Sequence, residues 1–192
     1  MNKIAIFASG SGTNAQNIIE YFKTKETASV SCVLSNKKDA YVLVRAQSFN
    51  IPVRIFDRHE FYETEQVLDF LKEKGINWII LAGFLWLVPQ VIVDSFTNRI
   101  INIHPALLPK FGGKGMYGLN VHRAVIENNE KETGITIHYV NKIYDEGNII
   151  FQTRCRVDES DTPESLAEKV HKLEYKYYPV IIEKLILESA DL

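Results

Sequence analysis

Short apolar segments alternate with segments of helical periodicity through the first hundred residues of the chain. The apolar segments are KIAIFA, SVSCVLS, IPVRIF, WIILAGF and RIINIH. WIILAGF contains only apolar residues and one glycine, which is typical of a strand that is covered on both faces. The alternation predicts an α/β fold with a doubly wound, mostly parallel sheet and right-handed crossovers.

Helices are predicted between these strands because apolar residues recur there at helical spacing. Gly75 is expected to end the third helix, and Pro89 to open the fourth. The predicted helical segments are AQNIIEYFK, AYVLVRAQSF, FYETEQVLDFLKEKG and PQVIVDSF.

The pattern changes after His104. A loop rich in Gly and Pro runs from about Pro105 to Asn120, and a helix starts near Val121. The segments GITIHYV and NIIFQTRCRV predict two strands that are close enough in sequence to pair antiparallel. A long helix is predicted from Thr162 to about Glu188. The second half of the chain therefore predicts an antiparallel extension of the sheet.

Length and composition predict one soluble domain, residues 1–192, with a full core, since 46% of the residues are hydrophobic. A net charge of −2 and the lack of a Lys/Arg-rich run disfavour a nucleic-acid partner. No apolar stretch reaches membrane-spanning length and the N-terminus does not resemble a signal peptide, so we expect a cytoplasmic protein without a membrane partner. The chain has only two cysteines, which disfavours a disulfide framework and a cysteine-ligated metal site.

The turn SGSGTN, residues 9–14, lies between the first strand and the first helix. Backbone N–H groups at such a helix start form an anion site. A dinucleotide is disfavoured because the second strand ends in SNK, without the acidic residue that would hold a ribose. A terminal phosphate monoester fits better, with Thr13 and Asn14 as further donors. The alternative is that the glycines only make a tight turn.

Three polar residues follow strands and together suggest acyl transfer. Asn102 and His104 are two residues apart near a strand end, so they face the same side of the sheet. Asp145 follows a later strand, just before a glycine, and a carboxylate near an imidazole keeps it protonated and oriented. An amide and an imidazolium can bind an oxyanion while the carboxylate helps to move a proton. The alternative is that Asn102 and His104 only satisfy local backbone groups.

Longer motifs carry a resemblance that covers nearly the whole chain. LAGF (81–84), NIHPALLPKF (102–111) and the combination HYV…DEG…IIFQ resemble folate-dependent formyltransferases. The chain also contains SGSGTN, SNK (35–37) and HRA (122–124). Together with these motifs it resembles the branch of the formyltransferases that formylates glycinamide ribonucleotide in purine biosynthesis.

The resemblance implies the formyltransferase fold and formyl transfer from 10-formyltetrahydrofolate to the amine of glycinamide ribonucleotide. Both are small-molecule substrates, and neither a tightly bound cofactor nor a metal is expected. Residues 1–100 would form a phosphate- and nucleotide-binding lobe, and residues 101–192 a catalytic and folate-binding lobe. The implied roles are oxyanion binding by Asn102 and His104, charging of His104 and proton transfer by Asp145, phosphate binding by Gly12, Thr13 and Asn14, and ribose binding by Glu174.

Folate would be held by two segments. The implied folate-binding residues are Leu85, Trp86, Leu87, Val88, Asn102, Asn141, Lys142, Ile143, Tyr144 and Asp145. Formyltransferases commonly have Met-Arg where this chain has Leu85-Trp86, and an arginine that meets the folate carboxylates aligns with His59 or its neighbour Arg58. The run GGKGMYGLNVH is also about three residues longer than is usual in the family.

Other functions remain open on the sequence alone. A 10-formyltetrahydrofolate hydrolase would use water as the acceptor, and a non-catalytic nucleotide-binding module would need only SGSGTN. Transfer to a tRNA-bound amino acid is disfavoured because no basic C-terminal domain is present. We expect a monomer or a weak homodimer.

Overall fold

The computed structural model describes residues 1–189, which form seven strands and seven helices. The strands are β1 (Asn2–Phe7), β2 (Ala28–Ser35), β3 (Val53–Ile55), β4 (Trp78–Leu81), β5 (Ile100–His104), β6 (Glu132–Tyr139) and β7 (Ile149–Arg156). The helices are α1 (Thr13–Phe22), α2 (Tyr41–Ser48), α3 (Arg58–Tyr62), α4 (Gln66–Glu73), α5 (Gln90–Ser95), α6 (Leu119–Glu127) and α7 (Pro163–Glu188).

The seven strands form one sheet in the order β3-β2-β1-β4-β5-β6-β7. Strands β1 to β5 pair in parallel, whereas β6 is antiparallel to both β5 and β7. The predicted fold class, including its antiparallel extension, is therefore confirmed. The strand order reverses between β1 and β4, and open α/β sheets bind ligands at the carboxyl ends of strands beside such a reversal.

Helices cover both faces of the sheet, which explains why its central strands are apolar on both sides. Alternate residues of β1 enter different cores: Ile4 and Ile6 pack with α1, α2 and α7, whereas Ala5 and Phe7 pack with α3, α4 and α5. All four side chains are fully buried. This covering leaves the ends of the strands as the accessible part of the sheet.

The segment predicted as one helix from FYETEQVLDFLKEKG is two helices, α3 and α4, so that prediction was wrong. Asp57 starts α3 through a capping box with Glu60 that takes up the helix's first N–H groups. The break follows at residues 63–65, where the Thr64 hydroxyl donates to the Glu60 carbonyl and accepts the N–H of Gln66. Local side-chain bonds of this kind compete with a continuous helix. Gly75, at a φ of +66°, ends α4 as predicted.

Helix α7 starts at Thr162 as predicted, and it is fixed to the sheet at its centre. The Tyr178 hydroxyl donates towards the carbonyls of Leu81 and Ile101, at 2.8 and 3.1 Å. Glu174 lies one turn earlier on the same face of α7, so these bonds set its position at the strand ends. No helix within residues 1–189 is long and apolar enough to cross a membrane.

Candidate active site

A cavity of about 780 Å³ lies at the carboxyl ends of β1, β4 and β5. Its wall consists of the loops that follow these strands, the segment 113–119, the loop 141–145 and part of α7. This volume lies within the range of small-molecule sites in proteins. Every residue predicted for catalysis or for nucleotide binding lines it: Gly12, Thr13, Asn14, Asn102, His104, Asp145 and Glu174.

Asn102 and His138 lie directly opposite each other on the antiparallel strands β5 and β6. The Nδ1–H of His138 donates to the Tyr139 carbonyl at 2.9 Å, so in the neutral ring Nε2 is an acceptor. The Asn102 amide donates to this Nε2 at 3.1 Å and to Asp145 Oδ1 at 3.4 Å. The pairing of the two strands thus brings an amide, an imidazole and a carboxylate together.

His104 occupies the end of β5 and is almost completely buried. Its Nε2–H donates to the Phe111 carbonyl at 2.7 Å, and its Nδ1 lies 3.6 Å from Asp145 Oδ2. Burial lowers the pKa of His104 below its ordinary value, even though the charge of Asp145 acts in the opposite direction. The ring is therefore neutral in the free protein, and the prediction that Asp145 holds it charged does not apply to this state.

Asp145 is the centre of the group because it faces both His104 and His138. Burial alone would raise its pKa, but the neighbouring imidazoles of His138 and His104 and the N–H of Gly113 together lower it. The Gly113 N–H donates to Asp145 Oδ2 at 2.9 Å, which ties the glycine-rich loop to the carboxylate. Asp145 has a φ of +56°, an uncommon conformation for a non-glycine residue.

The glycine two residues after Asp145 explains the spacing of the D-x-G motif. A Cβ atom on Gly147 would lie 1.6 Å from the Tyr139 carbonyl oxygen. Only glycine lets the chain pass this close to the end of β6. Because the chain passes so close to β6 at Gly147, the loop turns back and Asp145 lies beside His104 and His138.

The turn before α1 contains the predicted anion site. Gly12, at a φ of +77°, precedes the first residue of α1. Within residues 1–189, no side chain caps this helix end and no acidic residue lies in its first turn. The first-turn N–H groups are therefore available to an anion, and the positive end of the helix dipole favours it. No metal-binding group of three or more side chains is found among the described residues.

The Asn14 side chain bonds the carboxylate of Glu174 on α7. Its Nδ2 donates to Glu174 Oε2 at 2.9 Å, and the Nδ1 of His171 lies 2.7 Å from the same oxygen. Glu174 itself is buried. The hydrogen bond with Glu174 raises the pKa of His171, although burial opposes it. The Asn14 side chain therefore orients the carboxylate with one N–H, and its predicted contact with an anion stays a prediction.

A sequence profile of the family described as formyl transferase matches residues 2–182 of the chain. The chain belongs to the formyl transferase family. Phosphoribosylglycinamide formyltransferase from Bacillus subtilis (strain 168) is 35% identical to it, over 97% of this chain and 95% of that protein. The solved structure of phosphoribosylglycinamide formyltransferase from Bacillus halodurans covers 96% of this chain and 95% of its own length, at 38% identity and a TM-score of 0.87.

A plant relative has a higher identity but a longer chain. The chloroplastic phosphoribosylglycinamide formyltransferase of Arabidopsis thaliana is 41% identical over 94% of this chain. The chain spans 64% of the length of that plant protein. The relationship to the formyl transferase family therefore extends over nearly all of the chain, as its motifs predicted.

In this formyl transferase, the two segments predicted to bind folate form one wall of the cavity. That wall contains Leu85 to Val88, and it contains Asn141, Ile143 and Tyr144. Two backbone groups of the segment 85–88 are already hydrogen-bonded within the protein. The Leu85 N–H donates to the Ser9 hydroxyl, and the Leu87 carbonyl accepts from the Tyr62 hydroxyl. The shape of this wall is therefore fixed before a ligand enters.

Two of the residues predicted for folate, Lys142 and His59, do not line the cavity formed by residues 1–189. His59 is exposed, and its Nδ1 lies 2.9 Å from a carboxylate oxygen of Glu63 in the next helical turn. A ring paired with a carboxylate is poorly placed to meet an anionic ligand. Its neighbour Arg58 instead lies over the rings of Tyr62 and Trp86, at 4.9 and 6.0 Å from their centres. The assignment of His59 to folate binding therefore stays a prediction.

His138 is the site residue that the sequence analysis missed. It belongs to the HYV motif, and the alternation of Thr136 and His138 with Ile135 and Ile137 shows which side chains share a face. The missing information was the register of β6 on β5, which places His138 opposite Asn102. A chain read alone does not reveal that register.

Buried histidines should make this formyl transferase sensitive to mild acid. Burial lowers the pKa of His122 from 6.5 to about 4. The unfolded chain therefore binds a proton as the pH falls through 6.5, whereas the folded chain does not until about 4. The linkage removes about 2 kcal/mol of the free energy of unfolding at pH 5. His104 acts in the same direction.

Urea unfolding of the wild type and of His122→Phe at pH 7.5 and 5 measures this effect. We expect the loss of stability at pH 5 to be smaller in the variant, because Phe does not titrate. An equal loss in both proteins would show that other groups cause the acid sensitivity.

Proposed function

We propose that this formyl transferase moves the formyl group of 10-formyltetrahydrofolate to the amine of glycinamide ribonucleotide, a step of purine biosynthesis. The observation that carries the proposal is one cavity with two different ends. One end has a helix N-terminus open to an anion, and the other has Asp145 joined to an amide and two imidazoles. The names of the relatives support the same acceptor.

The ribonucleotide phosphate would bind at the turn Gly12–Asn14, chiefly through backbone N–H groups. Glu174 is a buried acceptor in the same wall and would take the ribose hydroxyls. This placement directs the glycinamide amine towards Asn102 and Asp145. The pterin would lie along Leu85–Val88 and the loop 141–145, which brings the formyl group to the same point.

The reaction needs no covalent enzyme intermediate. The neutral amine attacks the formyl carbon, a C–N bond forms, and the formyl oxygen becomes an oxyanion. Collapse of the tetrahedral intermediate breaks the bond between the carbon and N10 of the folate. One proton passes from the attacking nitrogen to N10, so that the products are the N-formyl ribonucleotide and tetrahydrofolate. Asp145, which remains ionised because its pKa is lowered, is the acceptor that can relay this proton.

Asn102 and His104 would stabilise the oxyanion. The longer bond of the Asn102 amide, 3.4 Å to Asp145, is the one that the oxyanion would replace. His104 keeps Nε2–H on Phe111, so a second proton would enter at Nδ1, facing Asp145. An oxyanion nearby favours the charged ring, which offsets the burial that keeps it neutral in the free protein.

For the whole chain we propose a single domain, residues 1–192. Residues 1–100 would supply the phosphate turn and residues 101–192 the catalytic group and the folate loop. Both substrates are small molecules, and we propose a cytoplasmic monomer or weak homodimer. Light scattering of the purified protein between 1 and 100 times the assay concentration tests the oligomeric state.

An acceptor comparison tests the function. The protein is incubated with 10-formyltetrahydrofolate and, in separate reactions, glycinamide ribonucleotide, glycinamide without the ribose phosphate, or no acceptor. We expect rapid folate turnover only with the ribonucleotide, because the phosphate and ribose sites position the amine. Equal turnover in all three reactions would instead identify a formyltetrahydrofolate hydrolase.

A further inference from the structure

Arg45 on α2 is a cation held beside the turn 9–14, and the mechanism above gives it no role. Its Nε–H donates to the Ser11 carbonyl at 2.9 Å, and its Nη1 donates to the side-chain oxygen of Gln16 on α1. The guanidinium also lies over the ring of Tyr41, 4.9 Å from the ring centre. Three contacts therefore fix this guanidinium against a carbonyl of the turn.

The bond from Arg45 sets the direction of one peptide group in the turn. The peptides of the turn are trans, so each carbonyl and the N–H that follows it point in opposite directions. The Ser11 carbonyl points to Arg45, which directs the N–H of Gly12 to the opposite side. The preceding peptide is held in the same way, because the Gly10 carbonyl accepts the N–H of Val42 at 3.1 Å.

The N–H groups of Ser11 and Gly12 therefore both face away from α2. The main cavity lies on that side, since residues 9–14 line it and no residue of α2 does so within residues 1–189. Neither N–H donates to a backbone carbonyl in the part of the chain that the structure describes. Consecutive N–H groups that face one side of a turn form an anion-binding concavity.

Arg45 also affects the strength of the donor that it directs. A hydrogen bond to a carbonyl polarises its peptide, so the N–H of the same peptide becomes a better donor. The cation also offsets the partial negative charge of the Ser11 oxygen, which would repel a phosphate. Arg45 does not itself line the cavity formed by residues 1–189, so its effect on an anion there passes through the turn.

We propose that Arg45 is a positioning residue for the phosphate of the bound ribonucleotide. By holding the Ser11 carbonyl on the side of α2, it directs the N–H of Gly12 at the phosphate and strengthens that N–H as a donor. The inference rests on the proposed function, because it places the nucleotide's phosphate at this turn. It gives α2, which contributes no residue to the cavity wall, a role in nucleotide affinity.

Arg45→Met tests this role, because methionine keeps an unbranched apolar stem and donates no hydrogen bond. We expect the Kd of ribose 5-phosphate, measured by isothermal titration, to rise about tenfold. The KM of the ribonucleotide should rise by a similar factor. The kcat at saturating ribonucleotide and the Kd of a folate analogue should not change, whereas the loss of a residue that only supports the fold would alter them as well.

Arg54→Met is the matched control. Arg54 also lies over an aromatic ring, 4.7 Å from the centre of Phe70, and it donates to a carboxylate oxygen of Glu60 at 3.3 Å. It lies on β3 and does not line the cavity formed by residues 1–189. The variant loses the same charge and a similar ring contact, and it should bind ribose 5-phosphate as the wild type does.

An unchanged Kd of ribose 5-phosphate in Arg45→Met would overturn the inference, as would an equal loss of folate affinity or the same weakening in Arg54→Met. A wild-type protein that does not bind ribose 5-phosphate would overturn it too. A wild-type protein that binds ribose 5-phosphate but does not formylate the ribonucleotide would instead overturn the proposed function. The two failures are therefore distinguishable.

Discussion

Replacing Asp145 by asparagine is expected to lower kcat by about 10²- to 10⁴-fold, with little change in the KM of the ribonucleotide. Asparagine has nearly the same shape and can still accept the N–H of Gly113. It lacks the charge that favours a protonated His104, and it cannot take up a proton from the attacking amine. The loss should therefore occur in the transition state rather than in binding.

His104→Ala should lower kcat by about 10²- to 10³-fold, as expected for the loss of a group whose positive charge stabilises the oxyanion. The double variant should lose much less than the product of the two single losses, because the carboxylate acts partly through the imidazole at 3.6 Å. Steady-state kinetics of the four proteins measure this coupling. Losses that multiply would contradict the coupled arrangement, and circular dichroism of each variant checks that its fold is retained.

Gly12→Ala is expected to raise the KM of the ribonucleotide by at least about tenfold, through the loss of a charge-assisted phosphate contact. A Cβ atom there would lie 2.5 Å from Val42 Cβ and 2.7 Å from its Cα, and the φ of +77° disfavours a side chain in any case. The turn must therefore shift, and its N–H groups move away from the anion. Isothermal titration with nucleotide and with a folate analogue separates the two sites, and only the nucleotide should bind more weakly.

Gly75→Ala is the matched control for the backbone strain. Gly75 also has a positive φ of +66°, but it ends α4 and its Cβ would meet only the end of the Lys3 side chain, at 3.7 Å. The variant should lose about 1–2 kcal/mol of stability and keep both affinities. If Gly12→Ala weakens folate and nucleotide equally, its effect is general misfolding and the phosphate assignment loses its support.

The sheet was predictable because its strands are short apolar runs that only a doubly covered sheet can accommodate. Gly75 and Thr162 also acted as predicted, since their effect on a helix end depends on the local backbone. The break between α3 and α4 was not predicted, because it depends on a local bond from Thr64 that outweighs a continuing apolar periodicity.

The sequence predicted the part of the site that consists of polar residues at or just after the ends of strands. Asn102, His104 and Asp145 do meet, because the loop that follows β6 turns back and brings Asp145 beside both β5 side chains. The partner of each side chain was not predictable. Asn14 bonds Glu174 across 160 positions, and His138 is opposite Asn102 only because β6 runs antiparallel to β5 in one particular register.

The protonation state of His104 was also not predictable from the sequence. The proximity of Asp145 suggested a charged His104, but the ring is so deeply buried that its pKa is lowered instead. The balance between burial and a nearby charge depends on packing density around the ring, which the sequence does not contain.

The most direct test of the account is the number of formylated ribonucleotides made for each tetrahydrofolate released by the wild-type protein. Direct attack by a positioned amine predicts a ratio of one, together with almost no tetrahydrofolate release when the ribonucleotide is absent. A ratio well below one, or release at the same rate without the ribonucleotide, would show that water is the acceptor and would contradict formyl transfer at the Asn102–His104–Asp145 centre.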